Sequence, residues 1–316
     1  MRVRGSGRGV QSGLSAGLVL FVVAELGLCA CSTASGSSGS ARAAGRVVQV
    51  VAAENFWGSI ATQVGGAHAQ VSSIISNPNT DPHVYEPTAA DARTVAGAQL
   101  VIENGIGYDP WVTKFLAADS ANPTVLSVGG LLGVPDGANP HRWYNPTDVQ
   151  AVIGQLVRDL QKLDPADRAY FAAQATRFNT VSLAKYHAAI AAINAGYHGV
   201  KVGASESIFA MLAPALGINL ITPSSFLKAI SEGTDVSAAD KQTIDNQINA
   251  HEIKVYVYNS QNVTPDVQAQ LAEVKAQRIP YATITETLVP PSATYQDWQT
   301  TQLLGIQAAL AKAVGH

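Results

Sequence analysis

The sequence predicts an α/β protein of two lobes, each with a mainly parallel sheet, joined by one long backbone helix. Three features of the chain lead to this expectation. Short segments rich in Val and Ile alternate with helix-like segments over residues 47–128, and the alternation returns over residues 200–313. Between them, residues 166–195 contain neither Gly nor Pro. Alternating strands and helices indicate parallel β-α-β units, and a long segment without helix breakers indicates a connecting helix.

Residues 1–31 have the layout of an export signal. Three arginines among the first eight residues precede an apolar segment at 14–28, which is too short for a transmembrane helix. The Leu-Cys-Ala-Cys sequence that follows resembles a bacterial lipobox and predicts acylation of Cys31. Cys29 fits less well because the large Leu28 would precede it. The alternatives are an uncleaved anchor and a plain secretory signal.

Residues 32–45 are rich in Ser, Gly and Ala, which predicts a flexible linker between the membrane and the folded body. No Cys lies beyond Cys31, so the mature chain has neither a disulfide framework nor a thiolate metal ligand. Without residues 1–30 the chain has 17 basic and 22 acidic residues, a formal charge of −5. This charge and the lack of a basic cluster argue against a nucleic-acid partner.

The first lobe is expected over residues 46–163. Thr88 should cap a helix that ends near residue 96, with Asp91 as its capping-box partner. The other predicted elements are a strand at 47–53, a helix at 54–64, strands at 70–75 and 99–103, a helix at 111–118 and a strand at 125–128.

The connecting helix is expected over residues 164–196. Asp164 and Pro165 form a helix start, with Pro at the first helical position. Apolar residues recur at helical spacing further along, and thirty helical residues would span about 45 Å. The alternative is two helices with a break near Asn179.

The second lobe is expected over residues 197–316. Its predicted elements are strands at 200–203, 218–222, 254–258 and 281–285, and helices at 205–216, 238–250, 265–276 and 295–313.

Two loops of the first lobe read almost alike, Asp-Pro-His at 81–83 and Asn-Pro-His at 139–141, and each is followed by an aromatic residue and a second proline. Proline restricts its own φ and the conformation of the residue before it, so each histidine is presented from a stiff loop upstream of a helix. Two imidazoles presented in this way predict a metal site assembled by the fold. The remaining histidines are expected at the surface: His68, His187, His198, His251 and His316.

The chain resembles the metal-binding solute receptors of bacterial zinc and manganese ABC importers. The resemblance covers nearly all of the mature chain. The matching segments are Ala-Glu-Asn-Phe-Trp at 53–57, the two His loops, Glu-Asn-Gly at 103–105, Ser-Glu at 205–206, Tyr-Asn-Ser-Gln at 258–261 and the closing helix at 295–310. It implies two lobes joined by a rigid helix, with a metal ion in the cleft and two ligands from each lobe.

Position by position, the resemblance implies four metal ligands: His83, His141, Glu206 and Glu286. Each falls near the carboxyl end of a predicted strand, where open α/β sheets bind their ligands. Glu206 is also expected to open a helix, whose dipole would favour an anion. The family more often has Asp at the position of Glu286.

The donor set leaves two ions open, Zn²⁺ or Mn²⁺, as the transported ligand. The His-rich loop of many zinc-specific receptors is absent, and a carboxylate stands in place of their third histidine, as in manganese receptors. The Irving–Williams order nevertheless predicts that Zn²⁺ binds the same donors more tightly than Mn²⁺. This slightly favours zinc as the transported ion.

The resemblance therefore implies a receptor, not an enzyme, anchored by its N-terminal lipid to the outer face of the cell membrane. It would be a monomer that delivers the ion to an ABC permease. A receptor for a chelated metal or haem, or a surface adhesin on the same fold, is the alternative. A secreted metallohydrolase is the weakest candidate because the sequence has no HExxH helix and no GxSxG motif.

Overall fold

The computed structural model describes residues 47–80, 82–118 and 121–315. The predicted export signal at 1–31, the linker at 32–45 and the acylated Cys31 lie outside these residues. None of the helices in the described segments combines the length and the apolar character needed to cross a membrane.

The first sheet has four parallel strands in the order β2-β1-β3-β4. Nearly all of β1 is buried, as expected for a central parallel strand with helices on both faces. Its alternate residues enter two cores: Val50 and Ala52 join the large one, and Val51 and Ala53 a smaller one. The strands are β1 Val48–Glu54, β2 Ala69–Ile75, β3 Leu100–Glu103 and β4 Thr124–Ser127.

Five helices accompany this sheet among the described residues. In α2 the predicted capping box is present, since Thr88 accepts the Asp91 N–H and Asp91 accepts the Thr88 N–H. The longest, α5, begins with Asn145 as its cap and Pro at its first turn. The helices are α1 Asn55–Gly65, α2 Ala89–Ala96, α3 Pro110–Ala118, α4 Val128–Leu132 and α5 Pro146–Leu163.

The connecting segment consists of consecutive helical pieces. After a 3₁₀ turn at Pro165–Asp167 come α6 (Arg168–Arg177), a π-helical turn (Phe178–Ser182) and α7 (Ala184–Tyr197). The Leu183 N–H donates to the Phe178 carbonyl, five residues back. The irregularity therefore lies near Asn179, where the alternative prediction places a break between two helices. It is a π turn, which is a common cause of helix bending.

The second sheet repeats the architecture of the first, with four parallel strands in the order β6-β5-β7-β8. The predicted α/β class with two parallel sheets is confirmed. The strands are β5 Lys201–Ala204, β6 Asn219–Leu220, β7 Val255–Asn259 and β8 Tyr281–Ile284. The helices are α8 Ile208–Leu212, α9 Ser224–Ser231, α10 Ala238–Asn249, α11 Pro265–Ala276 and α12 Tyr295–Val314.

The last helix, α12, ties the lobes together. It packs on α7 and β8 and also reaches α1 of the first lobe. The Tyr295 hydroxyl donates to the Trp143 carbonyl at 2.6 Å, and the large core runs through both lobes. The lobe limits at 46–163, 164–196 and 197–316 stay a prediction.

One predicted helix is much shorter than expected. The segment 205–216 contains only the five residues of α8, because Ser205 and Glu206 precede the helix and turns follow from Ala213. Both of these polar side chains are buried and hydrogen-bonded to other segments. Because Ser205 and Glu206 form these hydrogen bonds inside the protein, the helix begins only at Ile208.

Candidate metal centre

The four side chains predicted as ligands come together in the cleft between the lobes. His83, His141, Glu206 and Glu286 each offer one nitrogen or oxygen atom, and these atoms all lie within 4.8 Å of one another. Two ligands that are each about 2 Å from one ion are at most about 4 Å apart, so a small contraction would close the group around a cation.

Strand ends explain the convergence. His83 lies in the 3₁₀ turn Pro82–Val84 after β2, and His141 follows β4 and α4. Glu206 comes two residues after β5, and Glu286 two residues after β8. In each lobe the carboxyl ends of the parallel strands meet at one edge of the sheet, and these two edges face the cleft.

Glu286 lies at the centre of the group. Its Oε1 is 3.1 Å from His83 Nε2 and 3.4 Å from His141 Nε2. His141 Nε2 is also 4.0 Å from Glu206 Oε1. One carboxylate therefore contacts both imidazoles, and the second approaches the same nitrogen of His141.

His141 is completely buried, and an amide fixes the orientation of its ring. Nδ1 lies 2.9 Å from Asn139 Oδ1, which also accepts the His141 backbone N–H. Because an amide oxygen can only accept, Nδ1 carries the proton, and the Nε2 of the neutral ring has its lone pair free for a metal ion. The Asn139 amide in turn donates to the Ser207 carbonyl of the other lobe.

Glu206 is held by hydrogen bonds. Its Oε2 accepts from Asn259 Nδ2 at 2.7 Å, and its Oε1 accepts from Ser231 Oγ at 3.2 Å. The expected helix-dipole contribution is wrong, because α8 begins two residues later and has only five residues. Donors from β7 and α9 satisfy the carboxylate instead.

Glu286 receives a hydrogen bond from the opposite lobe. The Tyr108 hydroxyl donates to its Oε1 at 2.7 Å. Its backbone N–H donates to Gln261 Oε1, which also accepts the next N–H along the chain, from Thr287. Gln261 thus fixes the loop that presents the carboxylate.

The buried Asp109 shapes the turn that carries Tyr108, and Glu54 lies buried near it. The Asp109 carboxylate accepts the backbone N–H groups of Asn104 and Gly105, which shapes the turn after β3. Burial raises the pKa of Asp109 to about 7. Burial, together with the charge of Asp109, also raises the pKa of Glu54 at the end of β1.

His83 is the most accessible of the four. Its side chain is 19% exposed, against 5% or less for the others. The ring packs edge-on against Tyr108 and faces His141 at 5.6 Å between centroids. An ion arriving from solvent would therefore meet His83 first.

The electrostatics favour a divalent cation. Burial raises the pKa of Glu206 to about 8, and the charge of Glu286 adds to this shift. Burial would also raise the pKa of Glu286, but the adjacent imidazoles of His141 and His83, which stabilise its ionised form when protonated, hold it below its usual range. Burial lowers the pKa of His141. Two neutral imidazoles and two carboxylates supply a charge of −2 from borderline and hard donors, which suits Zn²⁺ or Mn²⁺.

A cavity of about 410 Å³ lies beside His83, which is the member of the four that lines it. Its lining also includes Tyr108, Asn139, Leu227 and Lys228 from both lobes.

Sequence reasoning missed most of the supporting residues. Asn259 and Gln261 belong to a motif that supports the family resemblance, but the motif predicts no role for them. No sequence pattern marks Tyr108 or Ser231. The sequence does not show which group orients the His141 ring, and in the structure Asn139 Oδ1 from the same loop does so. The other expectation that changes is His68, which is half-buried and paired with Asp167 instead of being solvated.

Comparison with known proteins places the chain in one family. The family model described as zinc-uptake complex component A, periplasmic, matches residues 50–309, and the chain belongs to this family. Its description is that of an uptake component and not of an enzyme.

Curated relatives match over shorter stretches. The iron-binding protein YfeA of Yersinia pestis is 31% identical over 114 residues, which are 34% of this chain and 36% of the relative. The manganese ABC transporter substrate-binding lipoprotein scaA of Streptococcus gordonii is 29% identical over 168 residues, which are 49% of this chain and 53% of the relative. The chain thus spans about half or less of the length of these relatives.

Solved structures share the fold. The crystal structure of ZnuA superposes with a TM-score of 0.68 at 19% identity, covering 84% of this chain and 99% of that one. The Mn-bound periplasmic metal-binding protein of Candidatus Liberibacter asiaticus gives 0.67 at 19% identity, covering 83% and 99%. At these identities the likeness concerns the fold.

Proposed function

We propose that this protein is the extracytoplasmic receptor of a metal-uptake system and that His83, His141, Glu206 and Glu286 coordinate one divalent transition-metal ion as its transported ligand. The observation that carries the proposal is the convergence of four donor atoms within 4.8 Å, from loops spread over about two hundred residues. The names of the relatives, which bind iron or manganese, support it.

Metal titration of the full-length protein in detergent tests the donor set. We expect one tight ion in the cleft, and we expect tight binding to be lost in His141→Ala, Glu206→Ala and Glu286→Ala. The exposed His187→Ala is the matched control and should bind like the wild type. Unchanged tight binding in all the cleft variants would disprove this set of ligands.

We propose Zn²⁺ or Mn²⁺ as the ion. Two nitrogens and two oxygens accommodate both, and the Irving–Williams order predicts that Zn²⁺ displaces Mn²⁺ in a direct competition. Elemental analysis of protein isolated from cells then reports which ion is carried under growth conditions, since availability decides between them in the cell.

We further propose that Cys31 carries the lipid that anchors the receptor to the outer face of the cell membrane, where it delivers its ion to an ABC permease. The receptor names among the relatives include the word lipoprotein. Cys31→Ser should move the protein from the membrane fraction to the soluble fraction, whereas Cys29→Ser should leave it in place. The reverse result would reassign the anchor to Cys29.

A receptor for a small metal chelate is the second candidate, because the cavity of about 410 Å³ beside His83 is larger than a bare ion requires. The visible absorption spectrum of the isolated protein separates the two. A coloured organic ligand bound in stoichiometric amount supports the chelate, and a colourless protein with a bound ion supports the bare metal.

A further inference from the structure

A second cluster of possible metal ligands lies outside the cleft. His68, Asp164 and Asp167 each offer one nitrogen or oxygen atom, and these three atoms lie within 4.8 Å of one another. His68 ends the 3₁₀ turn Gly66–His68 after α1. Asp164 directly follows α5, and Asp167 ends the 3₁₀ turn before α6. The cluster therefore joins the first lobe to the start of the connecting segment.

Asp164 shows that the cluster is incomplete. The residue is only 6% exposed, and its Oδ2 is buried with no hydrogen-bond partner among the described residues. No Lys or Arg in the described part of the chain forms an ion pair with it. Burying a carboxylate oxygen without a partner costs free energy, so a bound cation would stabilise this oxygen.

Of the two carboxylates, His68 pairs with that of Asp167. His68 Nδ1 lies 2.6 Å from Asp167 Oδ2. The imidazole stacks on the Tyr170 ring at 4.1 Å, and the Tyr170 hydroxyl accepts the Ala67 N–H. These contacts fix the turn and the ring, so the nitrogen donor is already in position for a ligand.

We propose that His68, Asp164 and Asp167 form a second divalent-cation site, distinct from the cleft, that takes Zn²⁺ or a similar first-row ion. One imidazole nitrogen and two carboxylate oxygens would coordinate it, and water would fill the remaining positions because the His68 side chain is 26% exposed. Ligands of one ion lie about 3 to 4 Å apart, so His68 and Asp167 move slightly apart on binding.

The consequence of this site is structural. The ion would link the end of α1, the end of α5 and the start of α6. Loading should therefore raise the thermal unfolding temperature without involving the cleft.

The test uses the full-length protein with the cleft disabled by His141→Ala and Glu206→Gln. Equilibrium dialysis against micromolar Zn²⁺ followed by elemental analysis should find one ion per chain in this parent. Adding Asp164→Asn or His68→Gln should weaken the remaining binding by roughly 100-fold or more, since even substitutions that only orient a ligand cost 10- to 100-fold. Asp235→Asn and His187→Gln, both exposed, are the matched controls and should retain the ion.

The thermal unfolding of the same variants separates loss of ligand from loss of fold. Zn²⁺ should raise the unfolding temperature of the parent and not that of the Asp164→Asn protein. Without metal, Asp164→Asn should be at least as stable as the parent because it removes a buried unpartnered charge. If Asp164→Asn fails to fold, His68→Gln decides. A cleft-disabled parent that binds no ion, or variants that bind like the parent, would overturn the proposal.

Discussion

The two lobes contribute to the cleft in opposite ways. The first lobe supplies two imidazoles from proline-containing loops, one completely buried and one 19% exposed. The second supplies two buried carboxylates that strands and hydrogen bonds hold in place. The Asn139 amide orients His141 at 2.9 Å, with a longer contact of 3.3 Å from Nδ1 to Ser207 Oγ, whereas two donors from different segments hold Glu206. The carboxylate half of the site is therefore more strongly preorganised than the imidazole half.

The largest effect should come from weakening the imidazole half. Asn139→Ala removes the amide oxygen that fixes the His141 tautomer and leaves the longer contact to Ser207 Oγ, and we expect metal affinity to fall by roughly 10- to 100-fold. Ser231→Ala is the matched change on the carboxylate half, where Asn259 remains as a donor to Glu206. Its affinity should fall less than that of Asn139→Ala in the same titration. Equal losses would mean that the two halves are equally preorganised.

The pH dependence of stability sharpens the contrast. Burial raises the pKa of Glu206 from 4.5 to about 8, so the folded metal-free protein holds this proton more tightly than the unfolded chain does. Its stability should fall as the pH rises from 6.5 to 8, by about 2 kcal/mol at most. His141 and Glu286 have lowered pKa values, so their contributions change only below pH 6.5.

Urea unfolding of the metal-free protein at several pH values measures this slope. Glu206→Gln should reduce this slope between pH 6.5 and 8, and bound metal should do the same, because a cation stabilises the ionised carboxylate. The slope that remains is expected from the buried Asp109, with its pKa of about 7, and from Glu54. A slope unchanged in Glu206→Gln would assign the whole effect to those groups.

The smallest effect tests whether α2 supports the loop of His83. Thr88→Ala removes the capping box at the start of α2 and should lower the free energy of unfolding by about 1 kcal/mol. Thr94→Ala, an exposed change later in the same helix, is the control. Metal affinity should stay unchanged in both. A drop confined to Thr88→Ala would show that the helix start also positions His83.

Much of the fold could be predicted from local patterns. The strands and most helices are close to their expected positions, and α11 coincides with its prediction at 265–276. Helix α5 was expected only from its start, although Asn145, the following proline and the helical spacing of Val149, Val152 and Ile153 were in the sequence. The short α8 could not be predicted, because its start is displaced by hydrogen bonds to residues more than fifty positions away.

The sequence by itself determined the class of fold and pointed to the two histidine loops, because periodicity, caps and proline-rich loops are local properties of the chain. The full set of four side chains in the cleft came from the resemblance to a known family. Only the tertiary structure decided which donors surround those side chains and which of the four is open to solvent. It also paired His68 with Asp167 and left Asp164 Oδ2 buried without a hydrogen-bond partner among the described residues. Hydrogen bonding and burial depend on which distant segments meet, and no local pattern records that.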